Sequence, residues 1–210
     1  MSTHTTHTEL NLAERRKDLV ATSMDNIKSI IRNKGVNPEA LNEVETILGS
    51  MSQEKEMFSD AEFPTPTPEE IAKIYLLTDD NGGDFSLYLV SIQPTGPSPV
   101  HDHGTFAVIA GLQGEEENTI YKRMDDKSEP GKAAIEEDFK VVLGDGDTIS
   151  FMPEDIHRIQ VCSETPTRHF HLYGKGFEQQ TERLVYSLEN GTTKAASGSF
   201  RSIDESRRIV

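Results

Sequence analysis

Apolar residues near the start of the chain recur at helical spacing. The leucine, valine, methionine and isoleucine positions between 12 and 31 follow a period of about 3.6 residues, which predicts an amphipathic helix. Gly35 interrupts this pattern, and Asn37-Pro38-Glu39 then predicts the start of a second helix with proline at a permissive first position. Residues from about 10 to 49 are therefore expected to form two helices.

A proline-rich stretch, 63–68, separates these helices from the rest of the chain and is predicted to be a stiff, extended connector. Thr67 is then expected to cap a short third helix carrying Ile71, Ile74 and Tyr75.

The pattern changes from Asp84 onward, where apolar residues alternate with polar ones at strand spacing. Turn residues such as Gly144-Asp145-Gly146-Asp147 separate the runs. Eight short runs are predicted to be strands: 85–93, 105–111, 117–123, 138–143, 147–151, 156–162, 168–174 and 183–188. Many short strands divided by turns indicate a mainly β sandwich or barrel.

These patterns predict four regions along the 210 residues. Residues 1–8 are expected to be a disordered tail, and residues 9–83 a helical segment that packs on a barrel. The barrel itself is expected at 84–189. Residues 190–210 are expected to be a C-terminal tail that is poorly ordered or packed late against the surface.

Charge and composition limit the classes of partner. The net charge of −15 argues against nucleic acid and anionic membranes, both of which need cationic patches. The block Glu115-Glu116-Glu117 is expected to be a solvated face or a turn. The chain has no apolar run of membrane-spanning length, no secretory signal pattern and a single cysteine, so a cytoplasmic location is expected. The oligomeric state is left open.

Histidines are the clearest chemical signal. Five of the seven lie in three short strand-like segments, and the other two lie near the N-terminus. Side chains two apart on a strand point to the same face, so His101 and His103 are expected to reach one metal ion. His157 shares a face with the apolar Ile159 and Val161 and would supply the third imidazole. Imidazole nitrogen suits iron, zinc, copper or nickel, so ligand type leaves the metal open.

The common oxygen-activating iron site combines two histidines with one carboxylate. Asp102 has the wrong parity for such a ligand, and the positions four and five beyond His103 hold Ala107 and Val108. Glu115 is expected in a turn. No acid is well placed, so the sequence favours three histidines.

Two motifs resemble those of a known family. The segment 96–123, with Pro99-Val100-His101-Asp102-His103-Gly104-Thr105, resembles the first cupin motif, and 146–158 resembles the second. Together with His169-Phe170-His171-Leu172-Tyr173-Gly174, they resemble the cysteine dioxygenase-type thiol dioxygenases, a branch of the cupins, over roughly residues 75–186.

The resemblance implies a cupin double-stranded β-helix, or jelly-roll barrel, behind an N-terminal helical segment. It also implies one Fe(2+) per chain, held by His101, His103 and His157. In that family a small thiol and O2 are the partners, and the sulfur is oxidised to a sulfinate.

The family carries a Ser-x-His-x-Tyr segment beside the iron, which implies catalytic roles for His171 and Tyr173 here. His169 stands where the family has serine. It is expected either to extend this chain of polar groups or to anchor the pair differently.

Substrate recognition departs from the mammalian-type enzymes. Ala107 stands at the position of their crosslinked cysteine, and Tyr75 stands at the position of their carboxylate-binding arginine. The bacterial 3-mercaptopropionate dioxygenases place an arginine after the Tyr-Gly segment, and Arg183 matches that position if one inserted residue is allowed. Arg183 is therefore expected to bind a substrate carboxylate, with Tyr75 as a second substrate-binding residue.

The resemblance thus favours oxidation of a 3-mercaptopropionate-like or cysteine-like thiol. Two alternatives stay open from the sequence. One is another metal cupin dioxygenase that cleaves a diketone or an enol, which needs the same histidines but no carboxylate clamp. The other is a non-catalytic barrel that binds a ligand.

Overall fold

The computed structural model describes residues 11–80, 83–196 and 203–210. The disordered tail predicted for residues 1–8 lies outside these ranges. Two helices, α1 (Leu12–Lys34) and α2 (Pro38–Ser52), precede a short 3-10 turn at Lys55–Phe58. Among the described residues, neither helix is both long and apolar enough to cross a membrane.

Local capping explains where the two predicted helices begin. The side chain of Asn11 accepts a hydrogen bond from the backbone of Glu14, whose own side chain accepts one from the Asn11 backbone. In α2 the side chain of Asn37 accepts a hydrogen bond from the backbone N–H of Ala40, and Pro38 occupies the first position, where its missing N–H costs nothing. Both predicted helices are confirmed.

The rest of the described chain contains twelve strands joined by loops and turns. They are β1 (Ala72–Thr78), β2 (Asp84–Ile92), β3 (Val100–His101), β4 (Ala107–Gln113), β5 (Glu116–Arg123), β6 (Ile135–Leu143), β7 (Thr148–Phe151), β8 (Ile156–Val161), β9 (Thr167–Lys175), β10 (Leu184–Tyr186), β11 (Thr193–Ala195) and β12 (Ile203–Asp204). A second 3-10 turn, Phe177–Gln179, lies between β9 and β10.

These strands form two six-stranded sheets. The first has the order β12-β1-β2-β9-β4-β7, and the second has the order β11-β10-β3-β8-β5-β6. From β3 to β10 the chain crosses repeatedly from one sheet to the other. This arrangement is the double-stranded β-helix, or jelly-roll barrel, of cupins, and the predicted fold class is confirmed.

The two faces of the first sheet bury different side chains. Leu89, Val108 and Phe170 point outward and pack against the helices, as do other apolar residues of β2, β4 and β9. Ile109 and Tyr173 point into the barrel. Because both faces of this sheet are covered, its strands read as nearly continuous apolar runs.

The third predicted helix is wrong. Residues 72–78 form strand β1, which pairs antiparallel with β2, so the sheet begins before residue 84. Tyr75 and Leu77 pack toward the helices, whereas Ile74 and Leu76 pack inside the barrel. A strand buried on both faces loses the apolar-polar alternation that identifies strands, and Ile71, Ile74 and Tyr75 imitate helical spacing.

The C-terminal region also differs from the expected tail. Strand β11 pairs with β10, and β12 pairs parallel with β1, so each strand extends the edge of one sheet. Short strands of two or three residues carry little periodic signal, which is why the sequence pattern did not predict them.

Candidate metal centre

Three histidines from two parts of the chain meet inside the barrel. His101 ends β3 and lies directly opposite His157 of β8 in the strand register. The sequence pattern predicts that His103 lies within a strand. In the structure it lies in the loop just beyond β3. All three are buried, and one ring nitrogen from each lies within 4.8 Å of the others.

The ring nitrogens converge on one point. The Nε2 atoms of His103 and His157 are 3.0 Å apart. The ring of His101 lies 5.0 Å from that of His103 and 4.6 Å from that of His157, measured between centroids. The three imidazoles predicted as ligands are therefore brought together, as a shared metal ion requires.

Hydrogen bonds fix two of the rings from behind. Nδ1 of His101 lies 2.9 Å from the carbonyl oxygen of Pro99, and Nδ1 of His157 lies 3.0 Å from Oδ1 of Asn118. A histidine that donates its Nδ1–H to an oxygen keeps the Nε2 lone pair free for a metal, and such partners orient metal ligands in proteins. Sequence reasoning missed Asn118, which pairs with Ile159 on β8, two residues from His157, so that its side chain reaches the His157 ring diagonally across the two strands.

Electrostatics keep the cluster neutral. Burial lowers the pKa of all three histidines, and the positive charge of Arg183 lowers them further. The pKa of His157 falls to about 3. Metal binding needs the unprotonated imidazole, so this environment suits a cation-binding site. The donor set fits a metal such as iron, zinc, copper or nickel.

Tyr173 and His171 lie beside this cluster. Nδ1 of His171 is 3.0 Å from the Tyr173 hydroxyl, and the Tyr173 ring lies 5.0 Å from the ring of His103. Burial raises the pKa of Tyr173, so its hydroxyl keeps its proton at neutral pH. Burial lowers the pKa of His171 to about 4, so His171 is neutral and its Nδ1 can either donate to the Tyr173 oxygen or accept from it, depending on the tautomer.

Arg183 also reaches the site. It is buried, its guanidinium donates to Oε1 of Gln180 at 3.2 Å, and its Cζ atom lies 6.0 Å from the ring centre of Phe177. Burial lowers the pKa of Arg183, yet a guanidinium stays charged at any physiological pH. The site therefore contains a fixed positive charge next to three neutral imidazoles.

Asp102 positions this part of the chain although it ligates nothing. Its carboxylate accepts hydrogen bonds from the backbone N–H of Leu184 at 2.9 Å and from the Tyr186 hydroxyl at 2.6 Å. These hydrogen bonds of Asp102 therefore connect the loop that carries His103 to β10, next to Arg183. The side chain of Asp102 points away from the face that carries His101 and His103, and for this reason it reaches β10 instead of the histidine cluster.

Two predicted site residues lie elsewhere. Tyr75 packs in the core under the helices, and its hydroxyl donates to the carbonyl oxygen of Pro64 at 2.7 Å. Adjacent residues of a strand point to opposite faces, and on β1 Ile74 faces the barrel interior. Tyr75 therefore points away from the histidines and does not reach them. His169 is inside the barrel but is not among the residues that line the cavity, and its Nε2 lies 3.3 Å from the carbonyl oxygen of Gly114.

The expected solvated block of glutamates contains a buried acid. Glu116 is fully buried, and Oε1 lies 3.7 Å from Nδ1 of His169. Burial alone would raise the pKa of Glu116 and lower that of His169. Their mutual attraction outweighs this, so Glu116 has a lowered and His169 a raised pKa. The expectation for Glu116 is wrong, because Glu116 is an inward position of β5 that is neutralised by a residue from the other sheet.

A cavity of about 690 Å³ joins these groups. The three clustered histidines, His171, Tyr173 and Arg183 line one part of it. Most other side chains of the lining are apolar, among them Ile71, Ile74, Val90, Ile92, Ile109, Ile159, Val161, Phe177 and Val185, and Thr95, Ser98 and Lys194 are polar members of it.

Comparisons with known proteins do not indicate an activity for this chain. No protein-family model matches the sequence, and no curated protein matches it. A cupin superfamily protein from Desulfitobacterium hafniense is 13% identical, with 56% of this chain and 89% of that chain covered and a TM-score of 0.39. A protein with a double-stranded β-helix domain from Klebsiella pneumoniae is 16% identical, with 67% and 96% covered and a TM-score of 0.40.

A DMSP lyase from Ruegeria pomeroyi is 17% identical, with 59% of this chain and 57% of that chain covered and a TM-score of 0.39. At such identities and TM-scores, these structures say nothing about the reaction of this chain. The double-stranded β-helix barrel is established by the strand order.

Proposed function

We propose that the protein is a thiol dioxygenase that uses one ferrous ion to oxidise a small thiol acid to its sulfinic acid. The observation that supports this best is the joint presence, in one cavity, of three neutral imidazoles, the Tyr173–His171 pair and the buried cation of Arg183. The reaction balances as R–SH + O2 giving R–SO2⁻ and H⁺, so the sulfur loses the four electrons that the oxygen molecule gains.

His101, His103 and His157 would hold the iron. A ferrous ion with only neutral protein ligands would supply the redox chemistry, and its full positive charge would favour the thiolate over the thiol. Each residue around it then has a separate task, which follows from its position in the cavity.

Arg183 binds the substrate carboxylate and sets its distance from the histidines. A guanidinium makes two parallel charge-assisted hydrogen bonds to a carboxylate, which fixes both position and orientation. Its burial strengthens this interaction, because less water screens the charge.

Tyr173 donates a hydrogen bond to the reacting groups near His103. While the single O–H of Tyr173 donates in this way, the neutral His171 donates its Nδ1–H to the phenol oxygen, so that the phenol keeps one orientation. The apolar walls exclude water from this part of the cavity, which strengthens each of these polar contacts.

Metal analysis and oxygen uptake test the proposal. Purified protein is expected to contain about one iron per chain and to consume O2 with 3-mercaptopropionate, giving the sulfinate by mass spectrometry. His103→Ala and His157→Ala should lose iron and activity together. A variant that keeps both would contradict the assignment of the ligands.

Arg183→Lys and Arg183→Ala separate thiol oxidation from other oxygen chemistry. Both should raise KM for 3-mercaptopropionate far more than KM for a thiol without a carboxylate, such as 2-mercaptoethanol. Oxygen uptake with a diketone, unaffected by Arg183→Ala, would instead support carbon–carbon cleavage. Metal-free protein that oxidises no thiol after iron loading would support a non-catalytic barrel.

A further inference from the structure

The cavity extends well beyond the histidine cluster. On β8, His157, Ile159 and Val161 follow one another on the inner face. Since a strand advances about 3.3 Å per residue, Val161 lies roughly 13 Å along the strand from His157. Val90 and Ile92 of β2 continue the wall, and Ile71, which is 46% exposed, lies at the outer end.

The charges along this cavity are one-sided. Arg183 and Lys194 are the charged residues among its described lining, which includes no aspartate or glutamate. The whole chain has a net charge of −15, so this distribution differs from that of the molecule. Arg183 is buried at the histidine end, whereas Lys194 is exposed. The buried charge therefore favours an anionic group at the inner end. Isoleucine and valine side chains form much of the wall that leads outward, together with Thr95, Ser98 and Lys194.

The volume also exceeds what a three-carbon thiol acid needs. Clefts of roughly 300–1,000 Å³ enclose ligands of drug size, and this cavity measures about 690 Å³. With its sulfur at the histidines and its carboxylate at Arg183, 3-mercaptopropionate would leave the isoleucine and valine walls without a partner.

We infer that the substrate is a thiol carboxylic acid with an apolar chain, which extends from the carbon that bears sulfur toward Ile92 and Ile71. This inference rests on the proposed function for the thiol and for its position. It adds the class of substrate, because the isoleucine and valine side chains of the wall would contribute affinity for an alkyl or aryl group.

Binding of 3-mercaptoalkanoic acids of increasing length tests this inference. The iron-loaded protein is titrated by calorimetry without oxygen, using 3-mercaptopropionate, 3-mercaptobutanoate, 3-mercaptohexanoate and 3-mercaptooctanoate. Burial of each methylene is expected to tighten binding about fourfold until the chain reaches the outer end. Equal affinity along the series, or tighter binding of a thiol dicarboxylic acid than of the matching alkyl compound, would overturn the inference.

Two substitutions test whether the dependence of affinity on chain length arises from the cavity wall. Ile92→Trp fills the wall and should remove at least tenfold of the affinity gained by the octanoate chain. Ile71→Trp at the outer end should shorten the favoured chain, and its exposed position keeps the test informative if Ile92→Trp does not fold. Val142→Trp on β6 is the matched control, since Val142 is 48% exposed and does not line the cavity. An unchanged chain-length series in both cavity variants would contradict the inference.

Acids without sulfur distinguish this inference from the proposed function. Butanoate, hexanoate and octanoate are titrated into iron-loaded protein, and the same length dependence is expected. If the length dependence is found but no thiol is oxidised, the cavity assignment stands and the proposed reaction fails. If 3-mercaptopropionate is oxidised but length has no effect, the reaction stands and the substrate class is wrong.

Discussion

The Tyr186 hydroxyl donates a hydrogen bond of 2.6 Å to the carboxylate of Asp102, and both residues are buried. Asp102 lies between two metal-ligand candidates, and Tyr186 lies on β10 close to Arg183. One short contact therefore joins the loop that carries His103 to the strand beside the proposed carboxylate-binding residue.

Removal of this hydrogen bond should weaken both the fold and the site. Tyr186→Phe leaves one oxygen of Asp102 without its buried donor, which is expected to lower the free energy of unfolding by ~1.5–3 kcal/mol. Urea titration of Tyr186→Phe, Asp102→Asn and the double variant gives the coupling energy. Additive effects would show that the contact contributes nothing specific.

The contributions of Glu116 and His169 to the free energy of unfolding should be coupled. Glu116→Gln removes one partner of a buried pair and takes away the carboxylate that raises the pKa of His169, so we expect a loss of ~3–5 kcal/mol in the free energy of unfolding. The double variant Glu116→Gln/His169→Gln should recover much of this loss, since neither side chain is then charged.

Glu117 supplies the control for this pair. It is the next residue on β5, is partly exposed and faces Lys140 at 2.9 Å. Glu117→Gln should cost at most about 1 kcal/mol, as surface ion pairs do. Equal losses for Glu116→Gln and Glu117→Gln, measured by urea titration, would contradict a buried pair.

Metal affinity should depend on Asn118. Asn118→Ala removes the oxygen that orients His157 and is expected to weaken iron binding by about 10–100-fold. Competition with a chelator measures this affinity directly, without any assay of activity. Asn42→Ala, at an exposed position of α2, should leave it unchanged. Normal iron binding by Asn118→Ala would show that Asn118 does not orient the ligand.

Acid should destabilise the metal-free protein partly through His171. Burial lowers the pKa of His171 from 6.5 to about 4, while Glu116 raises it and the charges of His169 and Arg183 lower it further. Above pH 6.5 the imidazole is neutral in both states and has no effect on stability. Between pH 6.5 and about 4 the unfolded chain binds a proton that the folded chain does not, so stability falls by ~1.4 kcal/mol per pH unit.

The variant His171→Gln isolates this contribution. Its free energy of unfolding should fall less steeply than that of the parent protein between pH 6 and about 4.5, by ~1.4 kcal/mol per unit. Urea titrations at several pH values give both slopes. Parallel slopes would show that His171 is not held neutral in the folded barrel.

Local patterns in the sequence were enough to predict the first two helices and the metal-ligand candidates. Asn11 and Asn37 cap the two helices through contacts within three residues, so neighbouring residues determine where the helices begin. The histidines were identifiable because His101 and His103 have the spacing of a strand face and His157 lies among apolar residues of its own strand.

Contacts between residues far apart in the sequence decided where the other site candidates, such as Tyr75 and Glu116, lie. Tyr75 lies under the helices, away from the substrate cavity, because β1 is buried on both faces and the sequence alone does not say which parity faces the barrel. Glu116 is buried because His169, from the opposite sheet, supplies the compensating charge. Periodicity records which positions avoid water, but only the packing of the two sheets determines which side chains meet there.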